Sequence, residues 1–202
     1  IFIRQVLQNQ ELQLARQGLY EKAAAITEEL SQIDPTGNHK IRANFYKREA
    51  SSEARILNAF TSSPDNSTNF IKAIYVLGRR GRTNQIKRII EKFSVDAGND
   101  PKKLTLIKNG YGLIAHWKEK EKIDQLLIEI QPDQYAPWFD LAQTRLRLGK
   151  TNEALKDLVR ALSIHKNSET NVTDIRATVK TNDLFRPIRD HPEIKPLLET
   201  SP

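Results

Sequence analysis

The sequence predicts an all-α protein of stacked helical hairpins closed by a C-terminal capping tail, and three observations predict it. The first is the stretch Trp138, Leu141, Ala142, Gly149, Ala154, Leu158, Ala161 and Leu162. Its bulky and small side chains fall at helical spacing on either side of a glycine, the pattern of two short helices packed together. The second is recurrence: Gly18 and Ala23, Gly81 and Ile86, and Gly149 and Ala154 repeat the same interval between a helix-ending glycine and a close-contact residue. The third is composition. With 38% hydrophobic residues, 28% charged residues and only 8 glycines in 202, the chain can bury an extended core and is neither fibrous nor disordered.

Taken in order, residues 1–35 form a hairpin turning at Gly18, with Ile26, Leu30 and Ile33 on the second helix and Asp34 and Pro35 as its stop. Residues 36–66 carry alanines and aromatics between Ile41 and Phe60 without the full pattern, and read as a degenerate hairpin. Residues 67–100 form a hairpin turning at Gly81. Residues 101–134 show apolar faces at Leu104, Ile107, Tyr111 and Ile114, then at Ile123, Leu126, Leu127 and Ile130. The polar run 118–122 reads as the solvated turn between them. Residues 135–168 are the best-defined hairpin. In the tail, 169–202, Asn171, Val172, Thr173 and Asp174 offer a helix start, and prolines divide the rest of the tail into short helices. Leu184, Phe185, Ile188, Ile194, Leu197 and Leu198 can cover the open end of a stack, so 1–168 and 169–202 together are expected to make one domain.

The stretch from Trp138 to Leu162 resembles a tetratricopeptide repeat: tryptophan at the fourth position, leucine at the seventh, and small residues at the eighth, twentieth and twenty-seventh of a period of about 34. It departs at Arg145, where a large apolar residue is usual, and at Lys166, where proline is usual. The tail resembles those closing bacterial tetratricopeptide arrays. The resemblance implies a right-handed superhelical array of about four hairpins, a non-catalytic role in binding proteins, and a groove lined by the first helix of each hairpin. Projected here, that groove holds Ile71, Tyr75 and Arg79, then Asn109, then Phe139, Gln143 and Arg147. Packing against a neighbouring helix is an equal expectation for Ile71 and Phe139.

Catalysis, cofactors and metals find no motif. His39, His116, His165 and His191 are far apart in sequence and at no ligand spacing, Gly78 to Gly81 lacks the lysine and hydroxyl of a phosphate loop, and no serine or threonine lies in a nucleophile motif. The absence of cysteine excludes disulfides without choosing a compartment. No run approaches the ~18 apolar residues that cross a bilayer, so a membrane would be met only through a region outside this chain. A chain with no methionine is expected to be a piece or processed product of something longer.

Charge is uneven. Residues 72–122 hold 13 basic and 5 acidic residues, which accounts for the whole net charge of +7, and Arg79, Arg80, Arg82, Lys87, Arg88 and Lys92 form the densest cluster. Such a patch attracts acidic protein segments, anionic lipid or nucleic acid. Tyr75 is the single nearby aromatic, and basic positions do not recur in every repeat, which disfavours a nucleic-acid code. The expected role is a scaffold for a peptide or helix of a protein partner, acidic in character, with no small-molecule substrate. Two alternatives stay open: the soluble C-terminal domain of a larger bacterial membrane or envelope protein whose activity lies upstream, and a nucleic-acid binder acting through the basic middle.

Overall fold

The computed structural model describes residues 2–166 and 174–199, and among them every regular element is helical. The described residues are all-α, built of helical hairpins. The chain divides into two compact units, Ile1–Asp96 and Ala97–Pro202, where one domain is expected from the sequence.

In the first unit α1 (Phe2–Arg16) and α2 (Tyr20–Ile33) form a hairpin, α3 (His39–Ser62) packs on α2, and α4 (Ser67–Gly78) and α5 (Thr83–Ser94) form a second hairpin against α3. The degenerate hairpin expected over 36–66 is instead one continuous helix of 24 residues. No glycine or proline falls between His39 and Ser62, so nothing supplies the backbone conformation or the missing donor that would break it. Its ends are set by proline-containing connections at Pro35 and Pro64, and α2 stops at Ile33 with Asp34 beyond it, as expected.

In the second unit α6 (Pro101–Leu113) and α7 (Trp117–Ile130) make one hairpin and α8 (Tyr135–Arg147) and α9 (Thr151–Lys166) another. Asp100 starts α6 by accepting from the backbone N–H of Lys102 at 2.8 Å, with Pro101 in the first turn. The polar run 118–122 is not a turn. It occupies the first turns of α7, and the connection is only Ile114, Ala115 and His116.

All four hairpins turn by the same device. Gly18, Gly81, Ala115 and Gly149 hold left-handed backbone at φ 67, 64, 57 and 75°. The next residue then donates its N–H five residues back: Leu19 to Leu14 at 2.9 Å, Arg82 to Leu77 at 3.1 Å, His116 to Tyr111 at 2.9 Å and Lys150 to Arg145 at 2.9 Å. This bond satisfies a carbonyl that the helix end would leave orphaned. Gly81, Ala115 and Gly149 stand one period of about 34 residues apart.

The tail shares its core with the last hairpin. Ala142, Ala154, Leu158, Ala161 and Leu162 of α8 and α9 join Ile175, Val179, Phe185, Ile188, Ile194 and Leu198 in one buried cluster. Here α10 (Ile175–Thr181) and α11 (Lys195–Glu199) lie on α9, and the short 3-10 turn Asp183–Phe185 lies on α8. Asp174 caps α10 by accepting from Arg176 N–H at 3.0 Å, while Asn171, Val172 and Thr173 of the expected helix start lie outside the described residues. Trp138 only borders this cluster. Its ring is half-buried, with Nε1 donating to the Pro132 carbonyl at 2.9 Å, whereas Leu141 is fully interior.

Three stability measurements check this account. Ala115→Gly relieves a left-handed backbone that costs an L-residue about 1 kcal/mol, so urea denaturation should show the variant more stable by about that amount. Phe185→Ala should cost about 3 to 5 kcal/mol by the same measurement, because the ring is fully buried and stacked on Phe139 at 5.4 Å. Trp138→Ala should cost clearly less than Phe185→Ala.

Candidate interaction surfaces

In the first unit α4 carries one of several exposed apolar helix faces; Phe2, Ile3, Val6 and Leu12 of α1 and Ile41 and Phe45 of α3 are exposed as well. Asn66 starts α4 by accepting from Asn69 N–H at 3.0 Å, which sets the register: Phe70, Ala73 and Leu77 turn inward while Ile71 and Tyr75, one turn apart, turn outward. Phe70 stacks on Phe93 of α5 with centroids 4.1 Å apart, so the outward stripe stands on a rigid base. Ile71 is 46% and Tyr75 62% exposed, and the Arg79 guanidinium lies 5.9 Å from the Tyr75 ring centroid. Isoleucine, tyrosine and arginine thus form one continuous exposed stripe.

The second unit treats its projected groove positions differently. Asn109 is exposed on α6, Gln143 is half-buried on α8, and Arg147 is exposed with its guanidinium 4.7 Å from the Trp117 ring centroid. Phe139 packs against Phe185 of the tail, which decides for this residue between the two expectations of groove and packing. Leu113, 55% exposed one turn after Asn109, was not singled out from the sequence. It lies one period after Arg79 and one before Arg147, so counting by about 34 would have found it had Ala115 been recognised as that hairpin's turn.

The basic cluster is split by the fold. Arg80 is 7% exposed; its guanidinium stacks 4.5 Å over Tyr20 of α2 and pairs with Glu53 and Glu49 of α3. Arg82 pairs with Glu53 as well and donates to the Gly18 carbonyl at 2.6 Å. These two arginines therefore tie the α4–α5 turn to α3 and to the α1–α2 turn, and do not contribute free charge to a surface. Gly18 is required twice there, for its φ of 67° and because a Cβ would lie 2.7 Å from the Arg80 side chain. Lys87 sits a loose 3.9 Å from Glu91, and Arg88 and Lys92 have no ion-pair partner among the described residues.

Charged side chains also register the helices of the second unit, and no sequence signal announced this. Arg145 reaches both carboxylate oxygens of Asp157 of α9 from its Nη1, at 2.9 and 2.8 Å, and donates from Nε to Glu121 of α7 at 3.2 Å. Lys150 also pairs with Glu121, at 2.7 Å. The residue that breaks the repeat pattern is thus the bridge between two hairpins. Beside it Asp124, fully buried, accepts from Lys120 at 2.7 Å and from the Thr144 hydroxyl at 2.6 Å, and Lys108 pairs with Asp140. Burial raises the Glu121 pKa, but its bonds to Lys150 and Arg145 outweigh that and hold the carboxyl below its usual range. Burial wins at Asp124 and pushes its carboxyl up.

The histidines make structural contacts. His39 meets Asp34 at 3.2 Å and Arg42 at 2.8 Å, and His165 lies edge-on to Tyr135 at 4.9 Å. Among the described residues no group of three or more His, Asp or Glu is placed to hold a metal ion, and no helix is long and apolar enough to cross a membrane.

No protein-family model matches the chain, and neither does any curated protein. Solved structures are similar to it at low identity. One titled MamA 41-end from Desulfovibrio magneticus RS-1 is 12% identical with a TM-score of 0.49, and spans 83% of this chain and 97% of that one. Two others are a MamA RS-1 ArsTM double mutant, 11% identical with a TM-score of 0.48 over 83% and 97%, and MamA MSR-1 C2, 11% identical with a TM-score of 0.46 over 83% and 99%.

The ionic bridge predicts two outcomes. Arg145→Ala strands Asp157 and leaves Glu121 to Lys150 alone, and should cost about 2 to 4 kcal/mol in denaturant unfolding, while the pair Arg145→Leu and Asp157→Leu should recover much of that loss. Asp124, with its folded pKa raised, binds its proton more tightly in the native state. Its ionisation therefore erodes stability as pH rises from the unfolded value of about 3.9 to the folded one. Measured across that window, the stability of Asp124→Asn relative to the parent should improve as pH rises.

Proposed function

We propose that the chain is a non-catalytic protein-interaction scaffold of the tetratricopeptide type, engaging an extended segment or helix of a protein partner through the exposed faces of first helices. One observation carries the reading: Ile71, Tyr75 and Arg79 lie in the open on a helix whose other face is completely buried. A helix with its core contacts complete has no folding reason to display isoleucine and tyrosine side by side. A preformed stripe of this kind binds without the entropic cost of organising the receptor, and tyrosine with arginine is the residue chemistry of interface anchors. Arg147 over Trp117, with Asn109 and Leu113 on α6, offers the same aromatic, cationic and apolar elements on the second unit.

An acidic partner suits the surplus of cations that the fold leaves exposed, Arg79, Arg88 and Lys92 among them. Internal use of Arg80 and Arg82 removes two of the charges a phosphate-tracking surface would need, and so favours protein over nucleic acid. The test is peptide binding to the full chain. One class of peptides selected from a random display library should lose at least about tenfold in affinity, 1.4 kcal/mol, with Tyr75→Ala, while the melting temperature stays unchanged. A selection in which every peptide binds Tyr75→Ala and Arg147→Ala as well as the parent would remove these residues from the interface.

A further inference from the structure

We infer that the cleft between α3 and α5 is a second docking site, built to seat an acidic amphipathic helix of a partner protein by one large apolar side chain and a pair of carboxylates. The inference rests on the scaffold reading for the class of partner, and on different residues for the site. The cleft has a volume of about 270 Å³; Leu57 and Phe60 of α3 and Ile89 of α5 wall it, and Leu77 of α4 is its floor. Arg88 and Lys92 stand on its rim.

Three features choose the occupant. The volume lies below the roughly 300 Å³ at which small-molecule pockets begin, yet takes a leucine- or phenylalanine-sized side chain, so the site fits an anchor carried on a larger partner. The lining is apolar on three helices, and α5 already buries Ile86, Ile90 and Phe93 on its inner face, so the opening is not a defect of an unfinished core. The rim is cationic and unspent. Arg88 and Lys92 are one helical turn apart, both exposed and both without an ion-pair partner among the described residues, and Lys92 lies 6.0 Å from the Phe60 ring centroid at the edge of the apolar wall. Two cations at that spacing complement carboxylates one turn apart on a facing helix, with an apolar residue between them pointing into the cleft. Basic side chains next to an apolar hole repel a basic helix and leave a neutral one without register.

The test uses the full 202-residue chain and random peptides of about 16 residues selected by display, followed by fluorescence titration of the enriched sequences. Enriched peptides should combine Asp or Glu one turn apart with Leu, Phe or Trp. They should lose at least about tenfold in affinity with Arg88→Glu plus Lys92→Glu, and also with Thr61→Trp, which fills the cleft from an exposed position without changing charge. Lysine-for-glutamate versions of the same peptides should bind the charge-reversed protein, a rescue that a folding defect cannot produce. Tyr75→Ala should leave this affinity intact. No enrichment, enriched peptides indifferent to both sets of changes, or binding lost only with Tyr75→Ala would overturn the cleft; in the last case the α4 stripe would stand alone. Tight capture of anionic vesicles or an oligonucleotide at physiological salt, abolished by the Arg88 and Lys92 changes, would also overturn it.

Discussion

Each hairpin depends on one residue that turns the wrong way. A right-handed helix of L-residues can end and turn back on itself within three residues when the residue after it takes left-handed backbone and lets the following N–H reach back to an orphaned carbonyl. Residues 18, 81, 115 and 149 do this, and each is followed by a second helix running back along the first. Helix α3 shows what happens without such a residue. It has the small and aromatic side chains of a hairpin but no glycine or proline inside it, and it continues for 24 residues. The turn residue, more than the apolar pattern, therefore decides how many helices a stretch becomes.

Given the hairpins, charged side chains decide how they register within each unit. In the first, Arg42 and Tyr46 of α3 meet the buried Glu11 of α1 at 2.9 and 3.1 Å, and Arg80 and Arg82 join one hairpin turn to another through Glu53 and Gly18. In the second, Arg145 and Lys150 converge on Glu121. Each pairing desolvates ions at a cost that apolar residues would not incur, so their net stabilisation is small. Their directionality is what apolar packing lacks. The bonds from Arg145 to Asp157 and to Glu121 tolerate no slip by a helical turn, whereas leucines sliding past alanines lose little.

Legibility in the sequence followed the range of the interaction. Helices stopped by Gly18, Gly81 and Gly149, and the amphipathic tail, were readable because the cause sits within a few residues of the effect. Ala115 hid the third turn, since alanine carries no left-handed signature; the polar run after it was then the natural place to expect a loop, though it begins α7. Arg145 read as a defect in the repeat because its reasons, Glu121 and Asp157, lie on other helices at intervals no repeat pattern records. Tyr75 and Arg79 were assigned to the expected groove by repeat position alone, and Phe139 was ambiguous because its neighbour Phe185 belongs to the tail.

The same argument changes what net charge means here. Six basic residues between Arg79 and Lys92 look like one patch when written as a string, and the surplus of positive charge in the middle of the chain is real. Folding assigns the members different work: Arg80 and Arg82 are neutralised inside the first unit, Arg79 lies along Tyr75, and Arg88 and Lys92 stand free beside an apolar cleft. Only the free ones project a field into solvent, where screening limits it to about 8 Å at physiological ionic strength. A few cations, each next to exposed apolar groups, offer shape and charge together. An unbroken basic band would attract any polyanion, and because Arg80 and Arg82 are spent internally the six residues do not form such a band.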